Sequence, residues 1–492
     1  SELSKDGDDK TSGLTRSYAT RWSYGIDETM SLLIPGFKGG ASDASLSEKS
    51  ATYALFAQSN PQQAREVIQH LPLYWGQQTS TVGNIYVGAI VVFLFILGMF
   101  LADPRIKWWI FAATLLGIFL SWGQHFMAFT NFFFDYVPGY NKFRTVSMTL
   151  VIPALAMPIL AILTLNMIFK GQVSEQKLMH GLKWSLGIAG GISLIFALFP
   201  DLAGDFVSAR DSSYQPQLAE ALQEDRRSLL RADAFRSLLF IVLSAALIYF
   251  YVKKRMKLNV AIAALAMLFL LDMWPVNKRY LDEKDFSPKR EAAAPFTASP
   301  ADQFIIQQPG ENQRVLNLTV SMFQDASTSY FHPSLGGYHG AKLRRYQDIM
   351  ETGLQDDIAT LYQALQTQDY ATVDSALATT RFLNLMNTRY VIINPNTSPI
   401  VNPHAVGNAW FVQSIREVVN ADEEISVVPQ LDLKTTCSMD ARFASKLEGS
   451  RTFQADPASS IQLSEYSPNR MVYTSRSATD QYAVFSEVYY PK

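Results

Sequence analysis

Two polar segments of this chain carry side chains suited to binding or transferring charged groups. The first, residues 16–40, reads Arg-Ser-Tyr-Ala-Thr-Arg-Trp-Ser-Tyr-Gly-Ile-Asp-Glu-Thr-Met-Ser-Leu-Leu-Ile-Pro-Gly-Phe-Lys-Gly-Gly. Trp22 and Tyr24 are flat side chains of the kind that stack on sugars or sit at a lipid headgroup, and Glu28 is a candidate acid or base. Ser23 or Asp27 is placed to cap a short helix whose apolar face is Met30, Leu32, Leu33 and Ile34, ended by Pro35 and Gly39-Gly40. On the simpler reading, Glu28 is a first-turn carboxylate favoured by the helix dipole.

The second segment, residues 124–144, holds Phe126, Phe129, Phe132, Phe133, Phe134, Tyr136, Tyr140 and Phe143. Rings favour the headgroup level, so the segment is expected to lie along the membrane interface. Lys142 and Arg144 stand immediately before an apolar run. Two cations among rings at a bilayer surface suit the phosphate of a lipid-linked substrate, because Arg offers a bidentate fork and Lys a point charge. The simpler reading is an aromatic belt with snorkelling cations. A weaker candidate anion site is His339, Lys342, Arg344 and Arg345, after the turn Gly336-Gly337. Its spacing matches neither a phosphate loop nor a dinucleotide fingerprint. Arg344 and Asp348, four apart, are placed to pair on a solvated helix face.

Other chemistries lack their residues. The six histidines show no H-x-x-x-H spacing, and the single Cys437 excludes a disulfide framework. There is no G-x-S-x-G nucleophile elbow. No metal or cofactor site is therefore expected. A net charge of −2 gives no sign of nucleic-acid binding.

The elements that must position these residues are apolar. Ile85–Ala102, Trp108–Gly123, Val146–Phe169, Trp184–Pro200, Ser237–Val252 and Leu258–Leu271 contain no Asp, Glu, Lys or Arg. A helix needs about 20 largely apolar residues to cross a bilayer. Six spans are expected, near 85–102, 108–123, 146–169, 184–200, 237–252 and 258–274. The mean hydropathy of +0.03 hides them, because polar flanks, 1–80 and 275–492, dilute the apolar middle. The uncharged spans count against an ion-coupled transporter.

Lys and Arg in short loops set the orientation. Arg105 and Lys107, then Lys170, Lys177 and Lys183, then Lys253, Lys254, Arg255 and Lys257 mark alternate connections. These belong on the cytoplasmic side. The N-terminal region, 124–144, the loop 201–235 and the C-terminal region then lie outside. From about residue 285 the chain reads as a separate α+β or α/β domain. Ser299 caps a helix with Pro300 at its first position. A strand candidate follows at Arg314–Val320. Helices are expected from about Ala341 and over 371–386, and strands at Tyr390–Ile393, Trp410–Val412, Ile425–Val428, Met471–Thr474 and Tyr482–Tyr490. Both ends read as internal to a longer protein, with nothing resembling a signal peptide near Ser1.

Several separate blocks resemble one family. Trp22-Ser23-Tyr24-Gly25 with Glu28 and Leu33-Ile34-Pro35, Leu73-Tyr74-Trp75-Gly76, Tyr86-Val87-Gly88, Pro138-Gly139-Tyr140-Asn141-Lys142-Phe143-Arg144, and Gly336-Gly337-Tyr338-His339 with Lys342-Leu343-Arg344-Arg345-Tyr346 look like the YfhO-like bacterial multi-pass membrane proteins, in the form found in Bacteroidetes-type bacteria. The resemblance implies a GT-C-like membrane glycosyltransferase in the bacterial inner membrane. It would take sugar from a polyprenyl-phosphate donor on the outer face and pass it to a cell-envelope glycan acceptor, with membrane lipids as its other partners. Family members carry further helices upstream and continue past this C-terminus. Their catalytic acid lies in an upstream loop, so the resemblance names no catalytic residue here. An envelope-lipid transporter, or a non-catalytic anchor presenting a binding domain, are the alternatives.

The orientation is checked by thiol labelling of intact cells. Cysteines placed in Lys253–Lys257 are expected to stay unlabelled by an impermeant reagent until the cells are permeabilised. Labelling in sealed cells reverses the assignment.

Overall fold

The computed structural model describes Leu3 and residues 13–340, 342–447 and 449–489. The chain divides into two compact units, one over Thr11–Phe286 and one from Ser287 onward.

The first unit is a multi-pass helical bundle. Four of its helices are long and apolar enough to cross a membrane: Val146–Phe169, Glu175–Leu198, Pro216–Val252 and Leu258–Asn277. A fifth crossing exists if Pro104–Ser121 and Gly123–Tyr136, bent by 110° at their junction, count as one. Six separate spans are therefore not found among the described residues. The apolar run at 85–102 becomes the 13-residue helix Ala89–Leu101. At 1.5 Å per residue that helix is about 20 Å long, short of a hydrocarbon core of about 30 Å. Ten of its 13 residues are buried, so it is apolar all round because the other helices enclose it.

Its N-terminus is buried too, and its free N–H groups need partners. Tyr86 Oη accepts from Ala89 N (2.8 Å) and donates to Asp272 Oδ1 (2.7 Å). Arg236 completes the group with an ion pair to Asp272 at 3.0 Å. The three side chains come from three elements and tie the N-terminal end of the short helix to the two last spans.

The region 201–235, expected as a loop, is mostly helix. Pro216–Val252 runs for 37 residues, about 55 Å. Its apolar half matches the expected span, and its charged half extends beyond it as a stalk. The stalk carries the N-terminal region. Asp225 accepts from Ala51 N (2.6 Å) and Thr52 N (3.0 Å), capping the helix Ala51–Ala57. Arg226 is wholly buried and fully bonded. It forms a two-pronged pair with Asp211 (2.6 and 2.9 Å) and donates to the carbonyls of Pro72, Leu73 and Phe206. Nor is the region before residue 81 a separate layer: Tyr24, Leu32, Leu33, Ile34, Phe37 and Trp75 share the bundle's core.

The basic connections gather at one end. Lys177 Nζ donates to Leu101 O (3.2 Å), and Lys253 pairs with Glu175 (2.5 Å).

In the second unit, Ser299 caps the helix Pro300–Ile306, as its sequence predicts, and Asp302 completes a capping box with it. Strand Arg314–Asn317 pairs in parallel with Thr388–Ile392, which pairs antiparallel with Ile400–Val401. Three further two-stranded ribbons follow. The helix expected from Ala341 runs from Arg344 to Gln366 through a π turn at Met350–Leu354. The 371–386 helix breaks at Thr380 into Tyr370–Thr379 and Arg381–Leu385. The strand expected at Ile425–Val428 is instead the helix Ala421–Ser426 followed by a 3-10 turn. Asn420 caps it, and Asp422, Glu423 and Glu424 fill its first turn, which outweighs the β-preference of the two valines. The last strand stops at Phe485, and Tyr490 lies outside the described residues.

Removing Arg226 strands Asp211 and three buried carbonyls. Arg226→Met is expected to destabilise the first unit by about 3–5 kcal/mol. Arg227→Gln, at an exposed pair, is expected to cost about 1 kcal/mol or less. Thermal melts of the detergent-solubilised protein distinguish the two.

Candidate functional site

A cleft of about 940 Å³ opens at the end of the bundle away from the basic loops. Three stretches wall it: residues 72–79, residues 203–210, and Asp27 with Lys38. Gln124 and His125 close one side. A second, apolar groove of about 450 Å³ is lined by Ile26, Met30, Phe37, Phe196 and Leu202. Asp27, Gln77, His125 and Ala203 line both, so the polar chamber and the apolar groove meet there.

Lys38 is the centre of the cleft. Its side chain is only 6% exposed, an unusual position for lysine. Three contacts support the charge. The ammonium pairs with Asp27 Oδ2 at 2.7 Å, donates to Ala203 O at 3.2 Å, and lies 3.5 Å from the Trp75 ring centroid. Trp75 packs in turn on Phe206, centroids 4.7 Å apart. Asp27 is the open partner, with 48% of its side chain exposed. Two further buried polar atoms of cleft residues, Trp75 Nε1 and His125 Nε2, find no hydrogen-bond partner among the described residues.

The cleft's outline follows from local sequence. The helix Pro104–Ser121 ends at Trp122, and Gly123 takes φ +46° to turn the chain through the bend. That turn delivers Gln124 and His125 to the cleft. Ser23 accepts from Gln124 N (2.8 Å), and a Cβ on Gly123 would collide with its hydroxyl. Ser23 therefore holds the bend and caps no helix; Asp27–Leu32 is a 3-10 turn without a side-chain cap.

The sequence-based candidates fall in three places. Glu28, the expected acid or base, is fully buried. Its Oε1 accepts from Tyr74 Oη (2.8 Å) and Gln77 N (2.6 Å). A Cβ at Gly76 would collide with both Glu28 and Tyr74, which explains the glycine in Leu73-Tyr74-Trp75-Gly76. Glu28 thus buttresses the 74–78 wall from behind, and burial holds its carboxyl above the usual carboxylate range. Tyr24 is buried in the core, which pushes its hydroxyl upward, and Trp22 is half-buried in a turn. Lys142 and Arg144 are exposed. Arg144 lies over the Tyr18 ring at 5.2 Å and donates to the Tyr18 hydroxyl (2.8 Å). None of these five residues lines the cleft.

In the second unit, Lys342 lies 5.0 Å from the Phe323 ring centroid. Arg344 pairs with Asp348 at 3.2 Å, as its spacing predicts, and Arg345 donates to Tyr489 O (3.0 Å). His339 lies in the irregular stretch before Lys342. Each of the three cations contacts a different partner. Among the described residues, no three His, Cys, Asp or Glu side chains group as a metal site.

Sequence reasoning missed Asp27, Lys38, Trp75, His125 and Arg226. A lysine inside Gly36-Phe37-Lys38-Gly39-Gly40, where the chain has no room for a solvated face, was the available signal. The chain matches no family model, no curated protein and no solved structure.

The raised carboxyl of Glu28 has a consequence in pH. The fold keeps its proton to higher pH than the unfolded chain does, so its contribution is present at acid pH and is lost as pH rises through the raised value. Glu28→Gln, which resembles the protonated form, is expected to melt with a flatter pH dependence than the parent. Glu28→Ala orphans two donors and is expected to cost about 1–3 kcal/mol. Melting curves from acid to neutral pH test both.

Proposed function

We propose that the first unit is a membrane transferase acting on a lipid-linked sugar, with the Asp27–Lys38–His125 cleft as its head-group site. The observation that carries this reading is the junction of the two cavities. A polar chamber containing a buried cation opens, through shared residues, into an apolar groove. Such a site suits a molecule with an anionic head and a hydrocarbon tail.

Each residue has a role in that reading. Lys38 meets the phosphate, exchanging Asp27 for the ligand's negative charge. Trp75 holds the ammonium against its ring and offers a buried N–H beside it. Asp27, released, accepts from a sugar hydroxyl. Ile26, Met30, Phe37, Phe196 and Leu202 pack on the first part of the lipid chain. In this reading, by resemblance to GT-C-like proteins, the reaction is transfer of the sugar from a polyprenyl phosphate to an envelope glycan. The cleft's own residues bind and orient. Positioning of this kind provides much of the rate in transfer reactions.

The test compares two cations. Sugar transfer from a polyprenyl-phosphate donor is measured in membranes carrying the full-length protein. A charge-assisted phosphate contact is worth roughly 1.5–3 kcal/mol, so Lys38→Gln is expected to slow transfer by about tenfold or more at unchanged abundance. Arg144→Gln, outside the cleft, is expected to leave the rate near that of the parent. The opposite pattern moves the phosphate to the Tyr18–Arg144 corner and removes the cleft from the assignment.

A further inference from the structure

The helical segment after the 110° bend has one packed face and one open face. Thr130 and Phe134 are buried. Arg16 ties down one edge, donating to Asn131 Oδ1 (3.1 Å) and pairing with Asp135 (2.7 Å). The opposite face presents Ala128, Phe132 and Tyr136; the last two are 54% and 74% exposed. The rings are coupled. Phe119, Phe126, Phe129, Phe133 and Tyr140 touch in succession, with centroids 5.1–5.8 Å apart.

The open face continues directly into the next apolar helix. Val137, Phe143 and Met148 are exposed, and Val151, Leu155, Ile159 and Ile162 carry the exposed stripe along Val146–Phe169. The last four recur at helical spacing on a helix long and apolar enough to cross a membrane, so lipid is what that stripe meets. The exposed face of 127–136 therefore leads, through exposed Val137 and Phe143, into a lipid-facing surface. Its one acid, Asp135, is paired by Arg16, while Lys142 and Arg144 stand exposed just beyond it.

We infer that Met127–Tyr136 lies flat in the headgroup layer of the bilayer, with Phe132 and Tyr136 at the acyl boundary and Lys142 and Arg144 beside bulk lipid phosphates. Rings at the interface and cations at the phosphate level are the arrangement that amphipathic interfacial helices adopt. The consequence reaches the cleft. Gln124 and His125 sit in the turn that begins this segment and line the cleft wall. A foot anchored in the headgroups therefore holds the cleft mouth at the depth of a lipid phosphate. The inference rests on the bundle spanning a membrane and is independent of sugar transfer.

The experiment uses spin labels on the full chain in phosphatidylcholine–phosphatidylglycerol vesicles. Cys437→Ser removes the native thiol. Labels are then placed singly by Phe132→Cys and Tyr136→Cys. Ile159→Cys is the reference inside the bilayer, and Tyr370→Cys, on an exposed residue of the second unit, is the aqueous reference. Collision rates with oxygen and with a water-soluble nickel chelate report depth. Labels at 132 and 136 are expected to collide with nickel severalfold less often than at 370, and with oxygen more often, at a depth shallower than 159. Nickel collision equal to that at 370 would place the face in water and overturn the inference. Low collision with both reagents would show the face covered by protein, and overturns it equally.

Discussion

Arg226 is the constraint on which the outer end of the bundle depends. Both walls of the cleft, residues 72–79 and 203–210, are irregular backbone, and irregular backbone has carbonyls to satisfy. The Arg226 guanidinium takes one carbonyl from each side of the cleft, and a second from the 72–73 stretch, while Asp211 neutralises it. A buried ion pair is poor value for stability alone, because desolvation offsets most of the attraction. It does specify geometry. A guanidinium has five donors in a fixed plane, and here they fix where two loops stand relative to the stalk helix. Lys38, Trp75 and Gln77 inherit their positions from that plane.

A second constraint explains why six apolar runs give fewer crossings. Inside a membrane every backbone donor needs a partner, so a helix that stops short of the surface needs its end capped by protein. The helix Ala89–Leu101 stops short and is capped by Tyr86 and Asp272, with Arg236 balancing the charge. Asp272 and Arg236 flank apolar runs in the sequence and look like ordinary boundary charges. Their pairing across helices is what lets a short apolar helix sit enclosed. Composition reports that a run is apolar; it does not report whether lipid or protein surrounds it.

The same distinction sets what was legible. The bundle, the grouping of the basic loops at one end, the beginning of a second unit near residue 285, the Ser299 cap and the Arg344–Asp348 pair all follow from local pattern, and the structure has them. The stalk was not legible, because Pro216–Arg236 is charged on every side and reads as loop until Asp225 and Arg226 are seen to be buried against other segments. Ile425–Val428 was misread as strand because two valines outweighed a capped acidic turn upstream. That Glu28 faces inward while its neighbour Asp27 faces the cleft has a subtler cause. In a regular helix the face of each residue follows from its number, whereas a single 3-10 turn with no cap leaves the facing of neighbours to tertiary contacts. Tyr74 and Gln77, far along the chain, donate to Glu28, and Asp27 is left facing the cleft.

That division of labour between adjacent carboxylates gives the cleft its chemistry. A lysine as buried as Lys38 is tolerable only with an anion beside it. Asp27 provides one from the open side, so the pair is neutral and the anion is the member that ligand can reach. Replacing Asp27 with a phosphate oxygen keeps the charge count of the buried part unchanged, and the Trp75 face and the Ala203 carbonyl already hold the ammonium in place. The reorganisation that would oppose binding is thereby limited to one half-exposed side chain. Glu28 cannot serve in this way, because its oxygens are committed to the wall behind and its charge is disfavoured by burial. On the proposed reading, the wall residue must stay fixed and the cleft residue must be free to change partners. One turn of chain supplies both because its two acids face opposite ways.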